Sequence, residues 1–380
     1  PVRVPPAWNG LRWSLHVGAC DYRAVVFLDG VRNGEHVGGS APFRVDLTGV
    51  VRPGVEHELV IHAVDDLRTG LQPAGKQSRE PSSYGCYYTR VGGIWQTVWL
   101  EGIHPLGIDA LRVVPDLAGG RAWLEPTFLE HGEGATVRCT AISGEARARV
   151  EAPAVSGVPI EVPLADPRPW SPEDPFLHRL ELEVVDRSGA VVDRVESYVG
   201  LRDVRIEGDR LLLNGEPRYL RLVLDQGYWP DGIWTAPSDE ALVRDIELAR
   251  AAGFNGARLH QKVFETRFLY WADRLGYLVW GEFPNWGLNY SNPEVNLPVI
   301  DEWNEIVNRD WNHPAIIGWC PFNETPESAC HLQKTIVNLT RRLDPTRPVL
   351  ETSGWTHSLQ DPELLDAHDY NQNPDSFRQK

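Results

Sequence analysis

The sequence predicts a multidomain β plus α/β protein in which two all-β domains precede a parallel (β/α)8 TIM barrel. Three observations predict it. Residues 1 to about 200 are short runs of Val, Leu, Ile and aromatics broken by Gly, Pro and Asp turns. From about residue 201, apolar strands alternate with helices of 3.6-residue periodicity. Polar residues then recur at the C-terminal end of nearly every one of those later strands, the rim where such barrels keep their active sites.

In residues 1–101, LRWSLHVGA, YRAVVFLDG, FRVDLTG, HELVIHAV and QTVWLEGI read as strands. Residues 66–93 are an irregular stretch of polar and aromatic residues, and a loop this long inside a compact domain is usually functional or mobile. In residues 102–200, DALRVVPDL, AWLEPTFLE, ATVRCTAI, IEVPL and HRLELEVVD are spaced like the strands of a small sandwich. PRPWSPEDP (167–175) is an extended proline-rich crossover where Trp170 packs.

Residues 201–380 change character. LRLVLD (220–225) is a continuous apolar strand, and SDEALVRDIELARAAG (238–253) is a helix capped by Ser238 and ended by Gly253. Its Leu242, Ile246 and Ala249 fall on one face. FNGARLH (254–260), YLVWGE (277–282) and AIIGWCPFNE (315–324) are the next strands, with helices at 265–276 and around 295–311 between them. A helix over 331–344 carries the stripe Leu332, Ile336, Leu339 and Leu343. RPVLETS (347–353) and ELLDAHDY (363–370) read as strands five and six. Strands buried on both faces imply a parallel sheet, and the lack of a glycine-rich phosphate loop favours a barrel over a dinucleotide fold. A complete barrel takes roughly 250 residues, so this one is expected to lack its last two strands.

Composition excludes several roles. A formal charge of −16 repels phosphate backbones and anionic membranes, so no nucleic-acid and no membrane partner is expected. No apolar run is long enough to span a bilayer. Cys20, Cys86, Cys139, Cys320 and Cys330 are odd in number and widely spaced, which argues against a disulfide framework or structural zinc. Reduced thiols fit a cytoplasmic protein. The chain has no methionine and begins at Pro1, as expected of a sequence incomplete at its ends. Nothing sets an oligomeric state, and a homo-oligomer is compatible with the sequence.

The rim residues are Asp225, Gln226, Arg258, His260, Glu282, Asn323, Glu324, Glu351, His368 and Tyr370. Glu351 reads better as a solvated or salt-bridged rim group than as a catalyst. His260 is divided evenly between a hydrogen-bonded core histidine and a substrate ligand. Asn323 and Glu324 stand out because NHPAIIGW is a buried strand that ends in PFNE, placing a carboxylate at the barrel mouth. Trp319 and Phe322 beside it would disfavour the charged form of Glu324, suiting it to protonate a leaving oxygen and later deprotonate water. Asn323 could bond a sugar hydroxyl.

The run RDWNHPAIIGWCPFNE (309–324) resembles the acid/base signature of glycoside hydrolase family 2, which includes β-galactosidases, β-glucuronidases and β-mannosidases. FNGARLH (254–260) resembles the second barrel strand of that family. LDGVRNGEHVGGSAPFRVDLT (28–48) and GGIWQTVWLE (92–101) resemble its N-terminal domain. The resemblance implies a jelly-roll sugar-binding domain (1–101), an Ig-like β-sandwich (102–200) and a catalytic TIM barrel (201–380). It also implies retaining hydrolysis of terminal β-glycosides, with Glu324 as general acid/base and Asn323 on the 2-hydroxyl. Arg258 would orient the nucleophile, Tyr370 would sit beside it and fix its charge state, and Glu282 would touch the sugar or a nearby divalent metal, although no ligand spacing demands a metal or other cofactor.

Trp286 and Trp355 are candidates to stack on sugar faces, with ordinary rim packing as the equal alternative. Asp225 and His368 are further candidate substrate ligands. The chain departs from the family where His260 follows Arg258 after one residue and Gln261-Lys262 come next, and where the first strand ends in DQGYWPDG. The nucleophilic glutamate is expected beyond Lys380. A β-galactoside is the leading substrate, with β-glucuronide as the alternative. A non-catalytic carbohydrate-binding protein with a truncated barrel is the reading from another class.

Overall fold

The computed structural model describes residues 1–378. Its N-terminal part packs two antiparallel three-stranded sheets face to face. In one, Arg12–Val17 lies between Val98–Ile103 and Phe43–Asp46; in the other, Arg23–Leu28 lies between Val31–Val37 and Leu59–Val64. Period-2 alternation makes this work: Trp13, Leu15 and Val17 point inward to meet Val26, Leu28 and Val45. The middle part is a second sandwich. Ile108–Asp116, Arg121–Phe128 and Ile160–Pro163 face a four-stranded sheet of Thr136–Ser143, Ala146–Pro153, His178–Val185 and Val191–Val199. Trp170, on the crossover between Ile160–Pro163 and His178–Val185 of this sandwich, is fully buried and donates from Nε1 to the Asp273 carbonyl at 2.7 Å, fastening this part to the barrel segment.

The barrel segment opens with a small antiparallel sheet over 204–217 and continues as β1 (Leu222–Asp225), α1 (Asp239–Ala251), β2 (Gly256–Leu259), α2 (Thr266–Leu275), β3 (Leu278–Glu282), α3 (Asn296–Asp310), β4 (Ile316–Cys320) and α4 (Cys330–Leu343). The four strands pair in parallel in sequence order. Ser238 caps α1 through its side chain, and Leu242 and Ile246 are its buried stripe. α2 ends on Gly276 at φ +68, where a Cβ would come within 2.6 Å of the Pro172 carbonyl, so both backbone conformation and space require glycine. α4 buries Leu332, Ile336, Val337 and Thr340, with Leu339 and Leu343 only half-buried at the edge of the expected stripe. Among the described residues no helix is long and apolar enough to cross a membrane, and all five cysteines are free.

The expected strands five and six form no ladder. Residues 347–353 run beside β4 through single parallel bridges, Trp319 to Val349 and Asn323 to Ser353, and 363–370 touches them only at Leu350–Leu364. The cause is competition for backbone donors. Val349 N–H goes to Glu363 Oε2 at 3.0 Å and Gly354 N–H to Asp366 Oδ1 at 2.8 Å, so carboxylates replace the carbonyls of a neighbouring strand.

Where the first sandwich meets the barrel, two carboxyls are buried. Glu302 of α3 accepts from Ser40 N–H at 2.7 Å and Asp21 accepts from Gln77 Nε2 at 2.9 Å. Burial, reinforced by neighbouring acids, pushes Asp21 up to about 7 and Glu302 up to about 8. Raised folded values mean the folded state holds extra protons, so stability falls as pH rises from the unfolded carboxyl value near 4 through these values. Glu302→Gln is therefore expected to flatten the decline in unfolding free energy between pH 5 and pH 9, read from urea titrations, by up to a few kcal/mol. An unchanged slope would contradict the assignment.

Candidate active site

Parallel strands deliver their C-terminal side chains to one rim, and here three of them converge on a guanidinium. Arg258 of β2 reaches Glu282 of β3 through Nε at 2.5 Å, Ser353 Oγ through Nη1 at 2.6 Å and Asn323 Oδ1 through Nη2 at 2.6 Å. Burial works against the charge of Arg258, but Glu282 outweighs it and holds the guanidinium above its ordinary value. Burial likewise opposes ionisation of Glu282, and Arg258 with His260 overcomes it, bringing the carboxyl down to about 2. Glu282 Oε1 also accepts from the Gln261 backbone at 3.0 Å and side chain at 3.2 Å. With both oxygens engaged by cationic and amide donors, Glu282 does not suit a metal ligand. His260 Nδ1 lies 3.0 Å from Glu282 Oε1 but out of line for a hydrogen bond.

Glu324 lies just past β4, in the left-handed region at φ +49, with its N–H donating to the Ser353 carbonyl at 2.8 Å. The expected aromatic surroundings do not form. Trp319 and Phe322 turn into the core, and the carboxyl of Glu324 faces His368 Nδ1 at 2.7 Å and the Tyr370 hydroxyl at 3.5 Å. Hydrogen counting shows what this does. Ser353 Oγ donates its one hydrogen to Asp366 at 2.6 Å, so it accepts from Arg258 and from His368 Nε2, the latter at 2.9 Å. With Nε2 carrying hydrogen, Nδ1 and Glu324 share one further proton. Either a neutral imidazole accepts from protonated Glu324, or an imidazolium donates to its carboxylate. In both arrangements the Glu324 carboxyl is hydrogen-bonded to His368 at the cavity wall.

That cavity, of about 470 Å³, is lined by Lys76, Cys86, Leu224, Arg258, His260, Trp286, Asn323, Glu324, His368, Asp369 and Tyr370. Seven of the ten residues expected at the site line it. Glu282 lies one layer beneath, holding Arg258. Asp225 does not join them: it lines a neighbouring hollow with Asp245 and Tyr88, where burial and Asp245 raise it to about 6. Trp355 is exposed, edge-on to His368 at 5.6 Å between ring centroids, and is not part of the cavity wall. Tyr370 is largely exposed and ends no strand; its hydroxyl is raised by partial burial and by the charge of Glu324. Of the two expected states of Glu351 the solvated one does not form: it is buried, accepts from Ser358 and from Leu359 N–H, and has His357 Nδ1 at 4.0 Å from Oε2.

Asn323 shows the clearest vacancy in bonding. Its Oδ1 takes Arg258, its N–H donates to Asn285 Oδ1 at 2.8 Å, and its carbonyl accepts from Asn285 Nδ2 and Trp286 Nε1. Its buried Nδ2 has no acceptor among the described residues. A donor left unmatched on a cavity wall is free to meet an oxygen that enters the cavity.

Sequence reasoning missed Gln261, Lys76, Cys86 and Asp369. Gln261, at φ +54, joins Glu282, Asn285 Oδ1 and Trp286 N–H in one network, which is what the departure after His260 builds. Lys76 and Cys86 come from the 66–93 loop, whose length was the signal. Asp369 lies in the DAHDY run beside two named candidates.

Comparison with known proteins follows the same segments. The family model described as glycosyl hydrolases family 2, TIM barrel domain, matches residues 204–370, and that described as glycosyl hydrolases family 2 matches residues 111–202. The chain is similar to a β-glucuronidase of Paenibacillus borealis, 28% identical over 379 residues that cover 91% of this chain and 62% of the relative. It is also similar to a β-galactosidase of Lactococcus lactis subsp. lactis (strain IL1403), 32% identical over 200 residues, 51% of this chain and 20% of the relative. Among solved structures, the β-glucuronidase from Ruminococcus gnavus in complex with D-glucuronic acid shares the fold with a TM-score of 0.78 at 24% identity, over 92% of this chain and 61% of that one. The chain thus spans about three fifths of the length of the first curated relatives it matches. The segments matched in sequence are the middle sandwich and the barrel segment that carries Arg258, Asn323 and Glu324, and the chain belongs to glycoside hydrolase family 2.

Proposed function

We propose that this chain supplies the acid/base half of a retaining β-glycosidase whose substrates are β-glucuronides. The observation that carries the reading is the Glu324 carboxyl 2.7 Å from His368 Nδ1 beside the unmatched Nδ2 of Asn323 on one cavity wall. Glu324 protonates the glycosidic oxygen as the bond to the anomeric carbon breaks, and a second carboxylate forms the glycosyl-enzyme. The same Glu324 then takes a proton from water as water displaces that carboxylate. Asn323 Nδ2 donates to a ring hydroxyl next to the reacting carbon. Arg258 and Glu282 position Asn323, and Trp286 offers an indole face within the cavity. The N-terminal sandwich is proposed as a jelly roll (1–101) and the middle one as an Ig-like domain (102–200), which brace the barrel (201–380).

The glucuronide reading replaces the expected β-galactoside because the relatives spanning nine tenths of this chain are named β-glucuronidases. The galactoside remains the second reading on the strength of the Lactococcus relative. An aryl β-glucuronide and the matching β-galactoside, assayed on the complete protein, separate them. The glucuronide is expected to lead in kcat/KM by more than about tenfold, since a site built around a charged group rejects the analogue that lacks it. A galactoside preference would contradict the proposal, and binding without hydrolysis would favour the carbohydrate-binding alternative.

A further inference from the structure

We infer that Asn285, which does not line the cavity, is the positioning residue that aims Asn323 and Glu324, by fixing the two peptide planes on either side of the Asn323 Cα. This role rests on the reading of Glu324 as general acid and holds for either sugar.

The first observation is a backbone conformation. Glu324 has φ +49 and Gln261 has φ +54, in the left-handed region that residues with a Cβ rarely adopt. A residue keeps that conformation only where its surroundings hold it, and such positions gather at functional sites. Here Gln261 follows β2 and Glu324 follows β4, both at the rim of the barrel segment.

One side chain joins the two. Asn285 follows β3 and is 1% exposed. Its Oδ1 accepts from Asn323 N–H at 2.8 Å and from Gln261 Nε2 at 2.7 Å. Its Nδ2 donates to the Asn323 carbonyl at 3.0 Å and to the Tyr290 hydroxyl at 2.8 Å. A carboxamide has two acceptor lone pairs and two donor hydrogens, so every bonding position of Asn285 is taken. The amide faces only one way, because Asn323 N–H needs an acceptor and the Asn323 carbonyl needs a donor.

The consequence is geometric. Asn323 N–H belongs to the peptide plane before its Cα, and the Asn323 carbonyl to the plane after it, so Asn285 grips both. Ser353 holds the opposite edge of each plane. Its N–H donates to the Phe322 carbonyl at 2.9 Å, and its carbonyl accepts from Glu324 N–H at 2.8 Å. Fixing two consecutive planes fixes φ and ψ at Asn323, and with them the direction in which the chain enters its left-handed turn at Glu324. Gln261 braces the far side of Asn285 and accepts from Trp286 N–H through Oε1 at 2.9 Å. The two left-handed residues therefore stand at the ends of one hydrogen-bonded bridge. Asn285 is not among the residues that line the cavity, so it acts on the reaction only through the groups it holds.

The test is the dependence of kcat/KM on the leaving group, since kcat/KM reports the first step, in which the phenol departs. Aryl β-glucuronides from dinitrophenyl to phenyl, and the matching β-galactosides, are assayed on the complete protein as parent, Glu324→Gln, Asn285→Asp and Asn285→Ala. Asn285→Asp keeps the size but turns an oxygen toward the Asn323 carbonyl; Asn285→Ala removes the amide and leaves room for water. Both Asn285 variants are expected to lose about tenfold to a hundredfold on the phenyl glycoside, as a displaced acid does, and less than about threefold on the dinitrophenyl glycoside. A smaller folded fraction scales every substrate alike and leaves that ratio unchanged, so misfolding does not imitate the result. If Glu324→Gln shows the leaving-group dependence while both Asn285 variants lower all substrates alike or not at all, the Asn285 assignment is overturned and the reading of Glu324 stands. If Glu324→Gln itself lowers all substrates alike, that reading fails and takes the assignment with it.

Discussion

Glu324→Gln is expected to divide substrates by leaving group. For glycosides whose leaving oxygen is a poor one, cleavage needs the proton, and kcat/KM should fall by about 10²–10⁴-fold. For aryl glycosides with acidic phenols the first step needs little protonation and should be largely spared. The second step still needs a base to activate water, so glycosyl-enzyme should accumulate and turn over slowly after a burst. Glutamine keeps both an N–H to donate to His368 Nδ1 and an oxygen to accept from it, 2.7 Å away in the parent, so the surrounding chain through Ser353 and Asp366 is preserved. Equal loss on both substrate types in pre-steady-state assays would show that Glu324 holds the site together instead of moving a proton.

The second large effect is expected at Arg258, where stability and activity should fall together. Arg258→Met removes the donor to Glu282, Asn323 Oδ1 and Ser353 Oγ at once and leaves a fully buried carboxylate uncompensated. Loss of one partner from such a pair costs about 3–5 kcal/mol. The pH dependence fixes the sign. Glu282 is lowered in the folded protein, to about 2, so its stabilising contribution is present above the unfolded carboxyl value and lost as pH falls toward 2. Arg258→Met should lose most stability at neutral pH and differ least from the parent near pH 3. Adding Glu282→Gln should recover much of the stability in urea unfolding but none of the activity, because Asn323 stays unanchored. If the double variant is no more stable than the single one, the buried charge is not the source of the loss.

Much of the barrel was legible because its signals are local. Ser238 and Gly253 bracket α1, and strands such as YLVWGE carry their own apolar runs. Parallel pairing then does geometric work no spacing states: Arg258, Glu282 and Asn323 are far apart in sequence yet meet because each ends a strand at the same rim. What was not legible depends on distant partners. Lys76 reaches the cavity only because the 66–93 loop crosses from another sheet and docks on the 284–289 segment. Asp225 looked like the other rim acids, but the opposing Asp245 of α1 sets it in a separate hollow. The apolar content of 347–353 suggested a strand, and the acids of 363–366 intercepted its backbone donors. Aromatic neighbours in sequence, Trp319 and Phe322, proved to face the core on the other side of the backbone from Glu324.

The most direct test of Glu324 as general acid/base is chemical rescue of Glu324→Ala in the complete protein. Azide is a nucleophile that needs no base, so it can attack the glycosyl-enzyme from an activated aryl glycoside, expelling the enzyme carboxylate without help from residue 324. The expected result is a rise in turnover with azide concentration and a β-configured glycosyl azide, identified from the anomeric coupling in proton NMR. An α-configured azide would mean that Glu324 is the nucleophile, and no rescue at all would mean that it transfers no proton in either step.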